Sequence, residues 1–279
     1  MDKKRVSESA TSPDSGRFAP RSLIRESERV KARLAATWFG TILLALTLVV
    51  PVLHRASAET PCVIPDGLAL HGISLPATKQ AVEKDKRLVV LTFGGVHPAG
   101  VDAEIGGTTY PARLAAALTA ALPQVEVEVK NEPPPGTTSA DVPPVLADLI
   151  AKTGARLVIW GPGGRDVMAR LDPGTFLDAV KAGIAAVRGA GADLILLDTT
   201  FVPSPARMAA IEAYRDRLLA AATAGHVPVL RRHAMMREWS EDGTLNLAAR
   251  DPAERELVAR HLFSCVAQGL ATPIAAAVR

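Results

Sequence analysis

Cysteine and aromatic residues are scarce in this chain of 279 residues. Only two cysteines occur, Cys62 and Cys265, and neither has a second cysteine or a histidine at the spacing of a zinc site. Aromatic residues make up 4% of the chain while alanine is plentiful, which suits a helix-rich α/β protein with small packing residues. The chain shows no internal repeat and no low-complexity segment, which excludes a repeat architecture. No motif predicts a cofactor or a metal ion.

The positive charge of the chain belongs to its N-terminus. The formal net charge is +3 at pH 7, but residues 1–58 hold ten Lys and Arg against five Asp and Glu. Residues 59–279 therefore hold 22 Lys and Arg against 24 Asp and Glu, and they contain no basic stripe. We predict that this part of the chain has no nucleic-acid partner.

Residues 34–53 form the one long apolar run and contain no charged residue. A run of about 20 residues is long enough to span a bilayer, and the basic segment before it is typical of a cytoplasmic N-terminus. Ala56-Ser57-Ala58 then resembles a signal-peptide cleavage site, and it slightly favours cleavage after Ala58. The long basic N-terminus favours an uncleaved membrane anchor instead. Both alternatives put residues 59–279 in the periplasm or on the outer face of the cytoplasmic membrane.

The chain divides into four parts on these grounds. Residues 1–33 are predicted to be a disordered basic tail, residues 34–58 the signal peptide or anchor, residues 59–86 a proline-containing lead-in segment, and residues 87–279 a single domain. Both cysteines follow the export segment, and in an oxidising compartment such a pair predicts a disulfide. The alternative is two unpaired, buried thiols.

Apolar runs alternate with helical patterns from residue 87 onward. The runs are residues 88–93, 125–129, 157–160, 194–197 and 227–230; the helical patterns are residues 112–122, 142–153, 175–189, 205–223 and 251–270. Strands that alternate with helices predict a parallel sheet with right-handed crossovers. We predict an α/β fold, a three-layer α/β/α flavodoxin-like sandwich whose five strands lie in the order 2-1-3-4-5, with a crevice between the first and third strands.

Glycine and polar residues follow each predicted strand. The loops are Gly94-Gly95-Val96-His97 after the first strand, residues 131–138 with Asn131 and Gly136 after the second, residues 161–166 with Gly163, Arg165 and Asp166 after the third, and Asp198-Thr199-Thr200 after the fourth. In this order the loops resemble those of the SGNH (GDSL-type) esterase and acyl-hydrolase family. The resemblance extends over residues 88–270 and implies the SGNH-hydrolase fold.

The family's catalytic residues are poorly matched. The position of the nucleophilic serine falls on Val96, and that of the oxyanion asparagine falls on Arg165. The oxyanion glycine is matched by Gly136, five residues after Asn131. The late Asp-x-x-His segment corresponds to residues 251–254, where Glu254 replaces the histidine. Acyl transfer needs a nucleophile, a base and oxyanion donors, so the sequence predicts a catalytically degenerate member.

Other residues of these loops leave alternatives open. His97, Asp166 and Asp198 could act as acid and base or hold a metal, although a turn histidine and two capping aspartates explain them more simply. Ser139 is a possible nucleophile, but a turn or helix start is the simpler role. Arg165 could bind a carboxylate or phosphate in the crevice. It could equally form an ion pair with Asp166 or Glu132.

Three functions follow from these patterns. The first is an exported pseudo-esterase that binds a small-molecule or glycan-derived ligand, or a partner protein, in the former active-site cleft. The second is an ester or acetyl hydrolase with a rearranged site around His97, and the third is a structural envelope protein with a vestigial cleft. An open polar crevice favours the first over the third. The oligomeric state is not predicted, and a membrane contact through residues 34–53 depends on the absence of cleavage.

Export generates the first testable prediction. Alkaline phosphatase fused after Cys62 should be active in bacteria, because residues 34–58 would carry it across the cytoplasmic membrane. N-terminal sequencing of the mature protein then distinguishes Glu59 from Met1 as the first residue. An inactive fusion, with the protein in the cytosol, would contradict export.

Overall fold

The fold is a parallel β-sheet between two layers of helices, seen in a computed structural model that describes residues 62–94, 109–132 and 138–279. These residues belong to one compact unit, Arg55–Arg279. The strands are β1 (Arg87–Gly94), β2 (Glu126–Asn131), β3 (Leu157–Gly161), β4 (Asp193–Leu197) and β5 (Val229–Leu230).

Eight α-helices surround the sheet in the described part of the chain. They are α1 (Pro76–Gln80), α2 (Tyr110–Ala121), α3 (Pro143–Thr153), α4 (Gly164–Ala169), α5 (Pro173–Gly189), α6 (Pro205–Ala224), α7 (Arg232–Glu241) and α8 (Pro252–Val278). A π-helical turn, Ala81–Asp85, continues α1, and a 3₁₀ turn, Ser139–Asp141, precedes α3. Proline stands at the first or second position of six of these helices, where its missing N–H costs no hydrogen bond.

The five strands lie in the order β2-β1-β3-β4-β5, and every pair is parallel. After β1 the chain continues to β2, on one side of β1 within the sheet. After β3 it continues to β4, in the opposite direction, so the loops after β1 and β3 diverge. The predicted strand order and the α/β/α fold class are therefore confirmed. A crevice at the carboxyl ends of β1 and β3 follows from this topology.

Alternate residues of the central strands enter two separate cores. On one face of the sheet, Leu88 and Val90 of β1 pack with α2, α7 and α8. On the other face, Val89 and Leu91 pack with α3, α5 and α6. Because both faces are covered, these strands are apolar without alternation, which is the pattern that predicted them.

Trp160 shows how closely one layer approaches the sheet. The indole is 1% exposed, and its ring lies 5.7 Å from that of Phe93. A Cβ built on Gly183 of α5 would lie 2.4 Å from Cζ3 of the indole. Glycine at position 183 therefore lets α5 pack directly over the strand.

From residue 87 onward, three helices depart from the predicted helical segments. Helices α4 and α7 have no counterpart among these segments, and α8 continues to Val278, well past the predicted end at residue 270. Pro273 lies inside α8 and is buried, so tertiary packing holds the helix together beyond that residue.

Helix α8 is also the one helix of the described residues that is long and apolar enough to cross a membrane. However, 72% of its most apolar window is buried inside the protein. Its apolar character is therefore accounted for by the core, where it packs chiefly against α2.

The two cysteines form the predicted disulfide. Cys62 and Cys265 are bonded with their Cα atoms 5.1 Å apart, and 203 residues separate them in sequence. The bond joins the lead-in segment to α8. The indole N–H of Trp239 donates a hydrogen bond of 3.0 Å to the carbonyl of Val63, which holds the same segment against α7.

Loss of this bond gives a prediction for stability. Cys62→Ala should lower the free energy of unfolding by up to about 4–5 kcal/mol, because the bond closes a long loop in the unfolded chain. Urea unfolding of the variant should match that of reduced wild-type protein, since Cys62 is only partly buried. Equal stability of oxidised and reduced wild type, or two free thiols by mass analysis, would contradict the prediction.

Candidate functional site

A cavity of about 530 Å³ opens at the carboxyl ends of the strands. Its volume lies within the range of small-molecule sites. The described lining residues come from the ends of β1 and β3, the segment that leads into α3, the loop after β4, helices α4 and α6, and the start of α7. The cavity therefore lies at the crevice that the strand order predicts.

Glycines shape the floor of this cavity. Gly94 ends β1 with φ +70°, and a Cβ there would lie 2.6 Å from the carbonyl oxygen of Gly161. Gly163 has φ +106°, and its Cβ would lie 3.0 Å from Cγ2 of Thr199. Only glycine allows the backbones of β1 and β3 to meet and the chain to turn immediately into α4.

Asp166 joins two loops at the cavity wall. Its side chain is 1% exposed. Oδ1 accepts a hydrogen bond of 2.7 Å from the Ser139 amide, and Oδ2 accepts from the Ser139 hydroxyl at 2.8 Å and from the Gly163 amide at 2.9 Å. Both oxygens are thus occupied by donors of the protein. Asp166 stabilises the start of α4, and the Ser139 hydroxyl is held by a carboxylate rather than by a histidine.

Asp198 follows β4 and is fully buried. Burial raises the pKa of this carboxyl, and the Arg215 guanidinium opposes the rise. Nε of Arg215 lies 3.1 Å from Oδ2, and the amide of Thr199 donates to Oδ1 at 2.8 Å. The carboxyl thus lies beneath the loop whose next residue, Thr199, lines the cavity.

Arg232 is charged, interacts electrostatically with Asp198 and lines the cavity. It begins α7, is 1% exposed and is one of the lining residues. Burial lowers the pKa of its guanidinium to about 10, while the charge of Asp198 raises it. Because about 10 lies far above neutral pH, the side chain carries a positive charge there. Burial raises the pKa of the neighbouring Tyr110 hydroxyl to about 12, so that group stays neutral.

His233 is buried beside these arginines. Burial, with the charges of Arg215, Arg237 and Arg232, lowers the pKa of its imidazole to about 4. The ring packs edge-on against Phe201 with centroids 5.5 Å apart. A neutral imidazole with this pKa is a weak base at pH 7.

The predicted site residues divide into three groups. Gly95, Val96, His97 and Gly136 lie outside the described residues. Gly163, Arg165 and Asp166 all line the cavity. Asn131 and Asp198 are not among the described lining residues: Asn131 ends the edge strand β2 and accepts a 3.1 Å hydrogen bond from the Thr92 hydroxyl, and Asp198 is buried as described above.

The segment that corresponds to the family's Asp-x-x-His motif begins α8. Asp251 is the N-cap, and its Oδ1 accepts from the amides of Ala253 and Glu254 at 3.1 and 3.0 Å. The Glu254 carboxylate accepts a hydrogen bond of 2.8 Å from the Asn246 amide group. The contacts of both acids are those of a capped helix start.

Sequence reasoning missed the arginines contributed by α6 and α7. Arg207 stands in the first turn of α6 and Arg232 at the first position of α7. Arg232 is the second residue after the predicted strand at residues 227–230, and this position was the available signal. Arg207 carries no local signal, because only the packing of α6 brings it to the cavity.

No group of three or more His, Cys, Asp and Glu side chains that could hold a metal ion occurs within the ranges 62–94, 109–132 and 138–279. Three hydroxyls near the strand ends in the described part of the chain have oxygen acceptors: Thr92 donates to Asn131, Ser139 to Asp166 and Thr199 to Asp198.

The parallel sheet, its strand order and the cavity at the β1–β3 crevice define an SGNH-type hydrolase fold. A profile of the Non-GDSL lipase-like family matches residues 61–279, and the chain belongs to this family. No curated protein matches the sequence.

Solved structures share the fold at low sequence identity. LAE5, an alpha/beta hydrolase enzyme from the metagenome of Lake Arreo, Spain, is 19% identical with a TM-score of 0.50, over 69% of this chain and 96% of LAE5. A variant of Axe2, an acetyl-xylooligosaccharide esterase from Geobacillus, is 17% identical with a TM-score of 0.50, over 67% and 93% of the two chains. The acetyl xylan esterase AlAXEase is 16% identical with a TM-score of 0.50, over 64% and 100%. At these identities the likeness shows the fold alone.

The contacts of Asp166 predict a structural role. Asp166→Ala should lower the free energy of unfolding by on the order of 3 kcal/mol, because three donors lose a buried, charged acceptor. Asp251→Ala is the matched control: it also removes a carboxylate that caps a helix, but at an exposed position, and should cost about 1 kcal/mol. Chemical unfolding measures both. Equal effects of the two variants would contradict the role assigned to Asp166.

Proposed function

We propose that this protein is an exported, catalytically degenerate member of its family that binds a small molecule in the former active-site cleft. The cavity of about 530 Å³ carries the proposal, because a vestigial cleft would be filled by side chains. The sequence led us to expect a polar crevice if the cleft binds a ligand, but the described lining is mostly apolar with a few polar groups, which is the usual composition of a small-molecule site.

Three features support the loss of hydrolysis. Val96 at the nucleophile position has no atom that can form an acyl-enzyme. Arg165 replaces the oxyanion asparagine, and Glu254 replaces the catalytic histidine at the start of α8. His233, buried beside the cavity-lining Arg232, has a pKa of about 4 and is poorly suited to take its place as a general base.

Export is supported by the Cys62–Cys265 disulfide, since such bonds persist in oxidising compartments. The apolar run at residues 34–53 would direct the chain there. The protein would then meet its ligand in the periplasm or at the outer face of the cytoplasmic membrane.

Loss of catalysis is tested with a covalent probe. The purified full chain should not be labelled by a fluorophosphonate and should not cleave short-chain nitrophenyl esters above background, with or without added divalent metal. Val96→Ser alone should not restore turnover, because no base is ready to accept the proton of the new hydroxyl. Stoichiometric labelling of the wild type would overturn the proposal and favour a hydrolase with a rearranged site.

Ligand binding is tested by filling the cavity. The full chain in lipid nanodiscs is examined by saturation-transfer NMR with hexanol, hexanoate and N-acetylglucosamine, and empty nanodiscs are measured in parallel. We expect at least one probe to bind wild type and Ala209→Trp but not Ala210→Trp. Both alanines are exposed on α6, yet only Ala210 lines the cavity. If no probe binds, or Ala210→Trp blocks none, the cleft is not a ligand site.

A further inference from the structure

The charges around the cavity are of one dominant sign. Among the described lining residues there are three arginines, Arg165, Arg207 and Arg232, and one carboxylate, that of Asp166. Asp166 is buried with both oxygens accepting hydrogen bonds from Ser139 and Gly163. A ligand in the cavity therefore meets guanidinium groups and no accessible carboxylate from this part of the chain.

The arginines reach the cavity from three different elements. Arg165 lies in the first turn of α4, Arg207 in the first turn of α6, and Arg232 at the start of α7. Arg207 is exposed and forms no hydrogen bond or ion pair with any other described residue. A guanidinium in this state can bind a carboxylate or phosphate with two parallel hydrogen bonds.

The N-terminus of α6 adds to this positive field. Helix α6 is 20 residues long, has no acidic residue in its first turn and has no side-chain hydrogen bond at its N-cap, Ser204. Ala206 and Arg207 of that turn line the cavity. The partial positive charge of a helix N-terminus and the charge of Arg207 both favour an anion at this wall.

The rest of the lining is mostly apolar. It includes the side chains of Val142, Trp160, Val167, Met168, Val202 and Ile211. Met168 is 78% exposed, although it lies on a helix that packs against α6. A ligand that covers an apolar group of this size removes apolar surface from water, which favours binding.

We infer that the cavity selects a small amphiphilic anion, whose carboxylate or phosphate group binds Arg207 and Arg232 and whose apolar part lies against Trp160 and Met168. This inference rests on the proposed function and adds the chemical class of the ligand. A purely polar anion would leave the apolar lining uncovered. A neutral apolar molecule would offer no anionic group to the exposed Arg207 guanidinium.

The test compares probes with the same six-carbon chain. Hexanoate, hexyl phosphate and hexanol are titrated into the full chain in lipid nanodiscs by ligand-observed NMR, with empty nanodiscs as the blank. We expect at least one anion to bind more tightly than hexanol, and its binding to weaken as the ionic strength rises. A preference for only one of the two anions supports the inference and identifies the headgroup.

Arg207→Gln tests the role of the exposed arginine in the first turn of α6. The variant should weaken binding of the preferred anion about three- to fivefold, as expected for an exposed ion pair, and leave hexanol binding unchanged. Arg250→Gln is the matched control, because Arg250 is exposed, has no partner in the described part of the chain and does not line the cavity. It should alter no affinity.

Two results would overturn the inference. One is hexanol binding as tightly as both anions in wild-type protein. The other is an equal loss of anion affinity in Arg207→Gln and Arg250→Gln, or no loss in either. If Ala210→Trp still blocks the probes in that case, the proposed function survives and only the anion preference fails. If no probe is blocked by Ala210→Trp, the proposed function fails as well.

Discussion

The cavity depends on one buried carboxylate. Asp166 lies where the loop after β3 becomes a helix, and it accepts hydrogen bonds both from that loop and from Ser139, which leads into α3. Two crossover connections on the same side of the sheet are thereby held at a fixed separation. A carboxylate that is removed from water is costly unless donors of the protein satisfy its oxygens, and three donors do so here. The hydrogen bonds that satisfy the buried Asp166 carboxylate therefore also hold the two segments that border the cleft.

The charged groups around this cleft disfavour a protonated imidazole beside it. Positive charges that attract an anion also disfavour protonation of a neighbouring imidazole, and His233 has a lowered pKa for this reason as well as through burial. A histidine needs the opposite setting, a nearby carboxylate, to act as a strong general base. Asp198, the buried carboxyl of the same region, instead contacts Arg215. The charged side chains beside His233 therefore contribute positive charge at the cavity, through Arg232, rather than a base.

The fold was predictable from the sequence because its signals are local. Residues 88–93 and 157–160 are short, largely apolar runs without alternation, which is typical of strands covered on both faces. Gly163 and Asp166, which follow β3 in sequence, line the cavity, and Asp166 accepts a hydrogen bond from the Gly163 amide at the start of α4. Helix α4 was missed because Gly163-Gly164 reads as a loop, and its start is stabilised by a residue far away in sequence, Ser139. The burial of Arg232 could not be predicted from the sequence either, because it depends on how α7 packs in the folded protein.

The Cys62–Cys265 bond turns most of the domain into a covalent ring. All five strands and the first seven helices lie between the two half-cystines, and α8 leaves the ring at its middle. A single cut by a protease in any surface loop inside the ring would open the chain without releasing a fragment. The two pieces would stay joined through sulfur and remain beside each other, which favours their re-association. This topology keeps a nicked chain in one piece, apart from any change in its equilibrium stability.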